Sequence, residues 1–181
     1  MTLGFKTKTD DGKPTLFPEK VLLCLMSEVL IKIVDWNDIM KDSPYGQMAV
    51  GTYAPKLHSI REDIRWKPGV MIDFYTGVRT NNAYRFAPRV SVVSVQKIEI
   101  IPEPPKPHSL DHPRIYLKKI DKKTGKEALL CFSVRIDNRY QWENEIKKLA
   151  KNDGFDTVDE FFEWFGAGYK GRIIHWTSLK Y

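Results

Sequence analysis

Apolar residues recur along this chain in two periods, one of two residues and one of three to four, separated by clusters of Gly, Pro, Asn and Asp. Leu3-Gly4-Phe5-Lys6 predicts a short opening strand that ends at the turn-prone Asp10-Asp11-Gly12-Lys13-Pro14. Pro18 suits a first helical turn. After it, Leu22, Leu25, Met26, Val29, Ile33 and Trp36 recur at helical spacing and predict one helix, or a broken pair, over 18–41. The β-branched run Val29 to Val34 admits a strand as the alternative. Ser43-Pro44-Tyr45-Gly46 closes this region, and the chain reads as loop to Pro55.

Strand patterns dominate the middle of the chain. Pro68-Gly69 marks a turn, Val70 to Val78 a strand, and Arg79-Thr80-Asn81-Asn82 a polar turn. Val90 to Ile101 is the strongest strand signal, with Val90, Val92, Ile98 and Ile100 on one face. Pro102, Pro104, Pro105 and Pro107 predict a stiff linker. Residues 114–120 and 128–136 flank Asp121-Lys122-Lys123-Thr124-Gly125-Lys126 as a hairpin. Two helices follow, Trp142–Lys151 with Trp142, Ile146 and Leu149 on one face, and Val158–Phe165 capped by Asp156 or Thr157. Arg172 to Thr177 is the last strand. Five or six strands with peripheral helices and no β-α-β alternation predict a single α+β domain over 1–181, barrel-like rather than doubly wound.

Composition narrows the partners. Lys and Arg exceed Asp and Glu by 29 to 23, so the formal charge is +6 and the pI about 9.2, which favours an anionic partner, nucleic acid first. Cys24 and Cys131 each lie in an apolar run and read as buried free thiols, consistent with a reducing compartment. No Cys/His spacing suggests zinc, and no cofactor is expected. The N-terminus lacks an apolar leader and no apolar run reaches membrane-spanning length, so the expectation is a cytoplasmic protein without a membrane partner.

Candidate chemistry concentrates in Lys56-Leu57-His58-Ser59-Ile60-Arg61, followed by Trp66-Lys67-Pro68-Gly69. A serine hydroxyl needs a nearby base to act as a nucleophile, and a desolvated lysine can serve. In an extended segment Lys56, His58 and Ile60 point one way and Leu57, Ser59 and Arg61 the other, so Lys56 and Ser59 converge only if the chain turns between them. Arg61 can clamp a phosphate or carboxylate, or pair with a local acid. His58 reads as a base or a hydrogen-bonded structural histidine, and His175 as structural or cleft-lining. His108 and His112 resemble a metal pair without a third ligand. Trp66, Phe74, Tyr75 and Trp176 can stack on bases or fill a core. Arg79, Asn81, Asn82, Tyr84 and Arg85 suit phosphate or base-edge contacts or a solvated turn. Lys118, Lys119, Lys122, Lys123 and Lys126 coat the hairpin.

The motif Lys-x-x-Ser-Ile-Arg, with Trp66-Lys67-Pro68-Gly69 leading into a strand, resembles the ASCH family of the PUA-like superfold. The similarity continues in Asn152-Asp153-Gly154-Phe155 before the helix at Val158, and in the closing strand Ile173-Ile174-His175-Trp176-Thr177. It covers residues 13–23 and 55–181, which makes 24–54 a helical insertion able to dock a protein partner. The resemblance implies a PUA-like β-barrel that binds RNA or a modified nucleoside, with Lys56, Ser59, Arg61 and Asp153 in the cleft. His58, Trp66, Arg79, Asn81, Arg85 and Trp176 would support it. One branch of the family removes the acyl group from N4-acetylcytidine. The resemblance then implies Lys56 as base, Ser59 as nucleophile and Asp153 as proton shuttle. That branch has threonine and glutamate where this chain has Ser59 and Asp153, and an aliphatic residue where it has His58. Asp153 has a second role open to it, capping the helix that follows.

Overall fold

The computed structural model describes residues 1–28, 30, 38, 41, 43–45, 53–104, 112–120, 125 and 127–181. Most of the segment expected as an insertion therefore lies outside the described residues, with Ile33, Trp36 and all of the alternative strand at 29–34 except residue 30. So do His108, Pro105, Pro107, and Lys122, Lys123 and Lys126 of the hairpin turn.

Two sheets and three helices make up the described fold. In the first sheet β1 (Thr2–Phe5) runs parallel to β3 (Met71–Thr76), and β4 (Tyr84–Arg85) and β5 (Val90–Ser91) pair antiparallel with β3. The second sheet has the order β2 (His58–Arg61), β10 (Lys170–His175), β6 (Ser94–Glu103), β8 (Glu127–Ile136), β7 (Ile115–Ile120). The short β9 (Arg139–Tyr140) pairs back on β8. The fold is α+β. Its ten described strands outnumber the five or six expected: β4, β5 and β9 are two residues long, too short to carry a period, and β2 falls in the Lys56–Arg61 segment, where no strand was expected. Among the described residues the two sheets do not close into a barrel.

The long run Val90 to Ile101 serves both sheets. Val90 and Ser91 pair with β3 and the Val92 N–H still donates to Val70 O, but the Val93 N–H donates to His175 O. The chain changes sheets between these two valines, which alternation alone does not reveal. Pro102, expected in a linker, sits inside β6 opposite Phe132. The Ile100 N–H, on the same strand edge, donates to Tyr169 O just before β10 begins. Two residues on, that edge no longer has a partner strand, so a missing N–H costs nothing there.

One buried apolar cluster runs through both sheets and all three helices. Helix α1 (Phe17–Ser27) contributes Val21, Leu22, Cys24 and Leu25, so two residues at the start of the expected insertion are core. Helix α2 (Glu143–Asn152) contributes Ile146 and Leu149. Trp142, expected on that face, precedes the first helical turn and is 66% exposed. Helix α3 (Val158–Phe165) opens with a reciprocal capping box: Thr157 Oγ1 accepts from the Glu160 N–H, and Glu160 Oε2 accepts from the Thr157 N–H. Phe161 and Phe162 are buried on its inner side.

Candidate functional site

Residues 56 and 57 are strung between two helices before β2 begins. The Lys56 N–H donates to Lys20 O in α1, and the Leu57 N–H donates to Asn152 O at the end of α2. These two bonds aim the Lys56 side chain at the α2 C-terminus. There Gly154, at φ +92°, takes the left-handed conformation that ends helices, and the Phe155 N–H returns to Ala150 O. Asp153 is thus the last residue before a helix-terminating glycine. It does not cap α3; Thr157 does.

The Lys56 ammonium donates to Asp153 Oδ1 at 2.6 Å and to the Asp153 backbone carbonyl, and lies 4.7 Å from the centre of the Phe17 ring. His58 Nδ1 is 3.4 Å from the same carboxylate oxygen, close enough for electrostatic orientation but not a formed hydrogen bond. All three side chains are buried. A carboxylate at a helix C-terminus opposes the helix dipole, whereas a cation there is favoured, so Lys56 compensates both the side chain and the helix end. Burial lowers the Lys56 pKa to about 8, since attraction to Asp153 offsets only part of the desolvation. For Asp153 burial pushes the carboxyl up, but Lys56 and His58 outweigh it and hold it below the ordinary value. Burial lowers His58 despite its acidic neighbour and keeps the imidazole neutral at pH 7.

Ser59 and Arg61 lie elsewhere. Ser59 pairs with Ile174 in register and His58 with His175, so alternation sends the Ser59 hydroxyl to the opposite face of the sheet. That hydroxyl is buried without a hydrogen-bond partner. The Arg61 guanidinium donates to Gly4 O at 2.7 Å and Ile60 O at 2.8 Å and lies 5.4 Å from the Phe5 ring centre, fastening β2 to β1 of the other sheet. Lys56, His58 and Asp153 therefore form one cluster that Ser59 does not join.

Beside this cluster opens a cleft of about 690 Å³, between the 6–15 loop, the start of α1 and residues 154–164. Phe17, Phe155 and Trp164 give it aromatic walls; Lys6, Lys13 and Lys20 face Asp10, Asp11, Asp156, Glu160 and Glu163. Lys20 is fixed by Gly154 O and Asp156 Oδ1, both at 2.8 Å. Gly154 is the thin point of the wall. A Cβ placed there would stand 3.2 Å from Lys56 Cδ and 3.2 Å from the Phe17 ring. Phe17, Lys20 and Gly154 connect the cleft to the Lys56 cluster. The distance in sequence of the cleft-lining residues from the motif hid them; the acid-rich Asp10-Asp11 and Glu160–Glu163 stretches read as ordinary turn and helix surface.

The remaining expected site residues do not meet at this cleft. Trp66 is buried, and Trp176 donates its indole N–H to Cys24 Sγ at 3.3 Å and stands edge-on to Phe74, so both tryptophans are core. Arg79, Asn81 and Arg85 are exposed on the turn around β4, away from the cleft lining, with Arg85 3.9 Å from Asp73. His112 bonds Glu103 at 2.9 Å and stacks on Tyr140, and Glu103 also accepts from Ser133 at 2.8 Å. Among the described residues no group of three or more His, Cys, Asp and Glu is placed to hold a metal ion. No helix among them is long and apolar enough to cross a membrane. Comparison with protein-family models, with curated proteins and with solved structures finds no match to this chain.

Proposed function

We propose that this chain is a binding module of ASCH type, with a PUA-like architecture, that takes a nucleoside-sized ligand in the cleft between the 6–15 loop, α1 and residues 154–164. The observation that carries the reading is the buried Lys56–Asp153–His58 cluster directly behind Gly154 in the cleft wall. Buried ion pairs contribute little net stability, and clusters of perturbed groups beside a concave surface mark functional sites. Charge selects the form of the ligand. Five carboxylates against three lysines repel a phosphodiester backbone, while aromatic walls and carboxylates suit a base with exocyclic amino groups and a ribose. A free modified nucleoside fits better than an RNA strand.

Titration of the protein with cytidine and N4-acetylcytidine, read by Trp164 fluorescence and compared with Trp164→Phe, tests the reading. The expected result is a saturable change that Trp164→Phe removes and that salt leaves nearly untouched. Salt-sensitive binding of an RNA oligonucleotide with no nucleoside response would refute it.

A second reading, amide hydrolysis on an N4-acylated cytidine, rests on Lys56 standing directly behind Gly154 in the cleft wall, against Asp153, with burial lowering its pKa toward neutrality as a general base requires. Since Ser59 faces the other side of the sheet, this reading takes a water molecule as the nucleophile. Turnover of N4-acetylcytidine should then survive Ser59→Ala and disappear in Lys56→Met; loss in Ser59→Ala with Lys56→Met still active would reverse the assignment.

A further inference from the structure

Across β2, β10 and β6, His175 stands opposite His58 on one side and Ser94 on the other, so the three side chains leave the same face of the sheet as a row. His58 and His175 are fully buried and Ser94 nearly so. Both ring nitrogens of His175 and the Ser94 hydroxyl lack any hydrogen-bond partner. Buried polar groups are ordinarily paired, and leaving them unpaired costs stability, so such a row implies a partner. None of these residues lines the cleft described above.

Tyr181 lies over this row. Its ring centre is 5.4 Å from that of His58 and 6.0 Å from that of His175. The Asn152 side-chain amide donates to the phenol oxygen at 2.9 Å, and the phenol oxygen is 2.7 Å from His58 Nε2. His58 Nδ1 lies 3.4 Å from the Asp153 carboxylate, which favours the tautomer with its hydrogen on Nδ1; in that tautomer the phenol donates to Nε2. Gln96 accepts from the Tyr181 N–H and donates to the Tyr181 carbonyl, both at 2.9 Å. Between β10 and Tyr181 the chain has no regular structure, and Ser178 and Lys180 are exposed. Tyr181 is thus held by these polar contacts and by packing of its ring on the core, without sheet or helix hydrogen bonding, and Thr177 at the root of the segment is buried.

We infer that residues 177–181 form a displaceable strap and that Tyr181 occupies in cis a pocket for a planar aromatic ligand bearing a hydroxyl. In the opened form the ligand oxygen takes the place of the Tyr181 oxygen between Asn152 and His58. A second polar group on its ring reaches the unpaired nitrogens of His175 or the Ser94 hydroxyl. His58, backed by Asp153, accepts the ligand's hydroxyl hydrogen. The pocket is reached from the strap side and does not depend on what the cleft binds.

The test uses p-cresol, the tyrosine side chain as a free molecule, with toluene as its hydroxyl-free counterpart. Tyr181→Ala in the full chain should bind p-cresol saturably, with shifts of the His58 and His175 ring signals in NMR spectra. Wild type should bind it at least about tenfold more weakly, because only its strap-open fraction is competent. Toluene should bind Tyr181→Ala less tightly than p-cresol by a similar factor. A folded Tyr181→Ala protein, by near-ultraviolet circular dichroism, that binds p-cresol no better than wild type, or toluene equally well, overturns the proposal. Hydrogen exchange on wild type gives a second reading that needs no variant. The Tyr181 amide should exchange far faster than the β10 amide of Ile173; exchange of the two together would mean that the strap does not open, and the proposal fails.

Discussion

Replacing Asp153 with Asn removes the charge that faces Lys56 while keeping size and the helix end. Lys56 Nζ then retains the Asp153 backbone carbonyl and the Phe17 ring but loses its counter-ion. Breaking a buried pair from one side costs about 3–5 kcal/mol. Proton release by Lys56 limits how much of that is felt, because the wild-type lysine already gives up its proton near pH 8 and the neutral form lies only about 1 kcal/mol above the ion pair at pH 7. The expected loss at pH 7 is therefore about 1–3 kcal/mol, less than for a pair whose lysine cannot release its proton. The pH dependence separates this origin from simple misfit. In the variant, folded Lys56 is neutral and the unfolded chain binds one more proton, so stability from this group rises with pH. In wild type Lys56 keeps its proton up to about 8, and the same rise starts only above that value. The gap between the two proteins should therefore narrow by about 2 kcal/mol from pH 6 to pH 8. Urea unfolding followed by tryptophan fluorescence at pH 6, 7 and 8 measures it. A gap below about 1 kcal/mol at pH 7, or one that does not change with pH, refutes the argument. Lys56→Met combined with Asp153→Leu removes both charges and should recover most of the loss.

Gly154→Ala forces a left-handed residue to carry a Cβ 3.2 Å from Lys56 and Phe17, so thermal unfolding should show a loss of about 1–3 kcal/mol, and nucleoside binding in the cleft should weaken with it. Thr157→Ala removes half of the reciprocal cap on α3 and should cost about 1 kcal/mol in urea unfolding, with nucleoside affinity nearly unchanged because Thr157 does not line the cleft.

Much of the fold was legible because the information was local. β1, β3, β7, β8, α2, α3 and β10 fall within a few residues of where alternation or helical spacing put them, and the Asn152-Asp153-Gly154 stop fell between α2 and α3. The expected set of Lys56, Ser59 and Asp153 required a turn within Lys56–Arg61; β2 is extended there instead and keeps Ser59 on the face opposite His58. What the local signals missed lies where one run serves two partners, as at Val92 and Val93, or where an edge strand ends early enough to tolerate Pro102. Trp66 and Trp176 show the same limit, since an aromatic residue carries no mark that distinguishes a stacking platform from a core filler.

From the sequence alone come the element types, the α+β class, the residues able to ionise near position 56, and the glycine that ends α2. Those follow from rules that act within a few residues: side-chain period, backbone freedom at glycine, and cap chemistry. Only the tertiary structure decided which charges meet. Lys56 and Asp153 are 97 residues apart and His58 and Tyr181 are 123 apart, and each pair forms because helix α2, strand β2 and the last residues of the chain pack side by side. Once they are buried together, desolvation makes their charges interdependent, and no pattern along the chain specifies that.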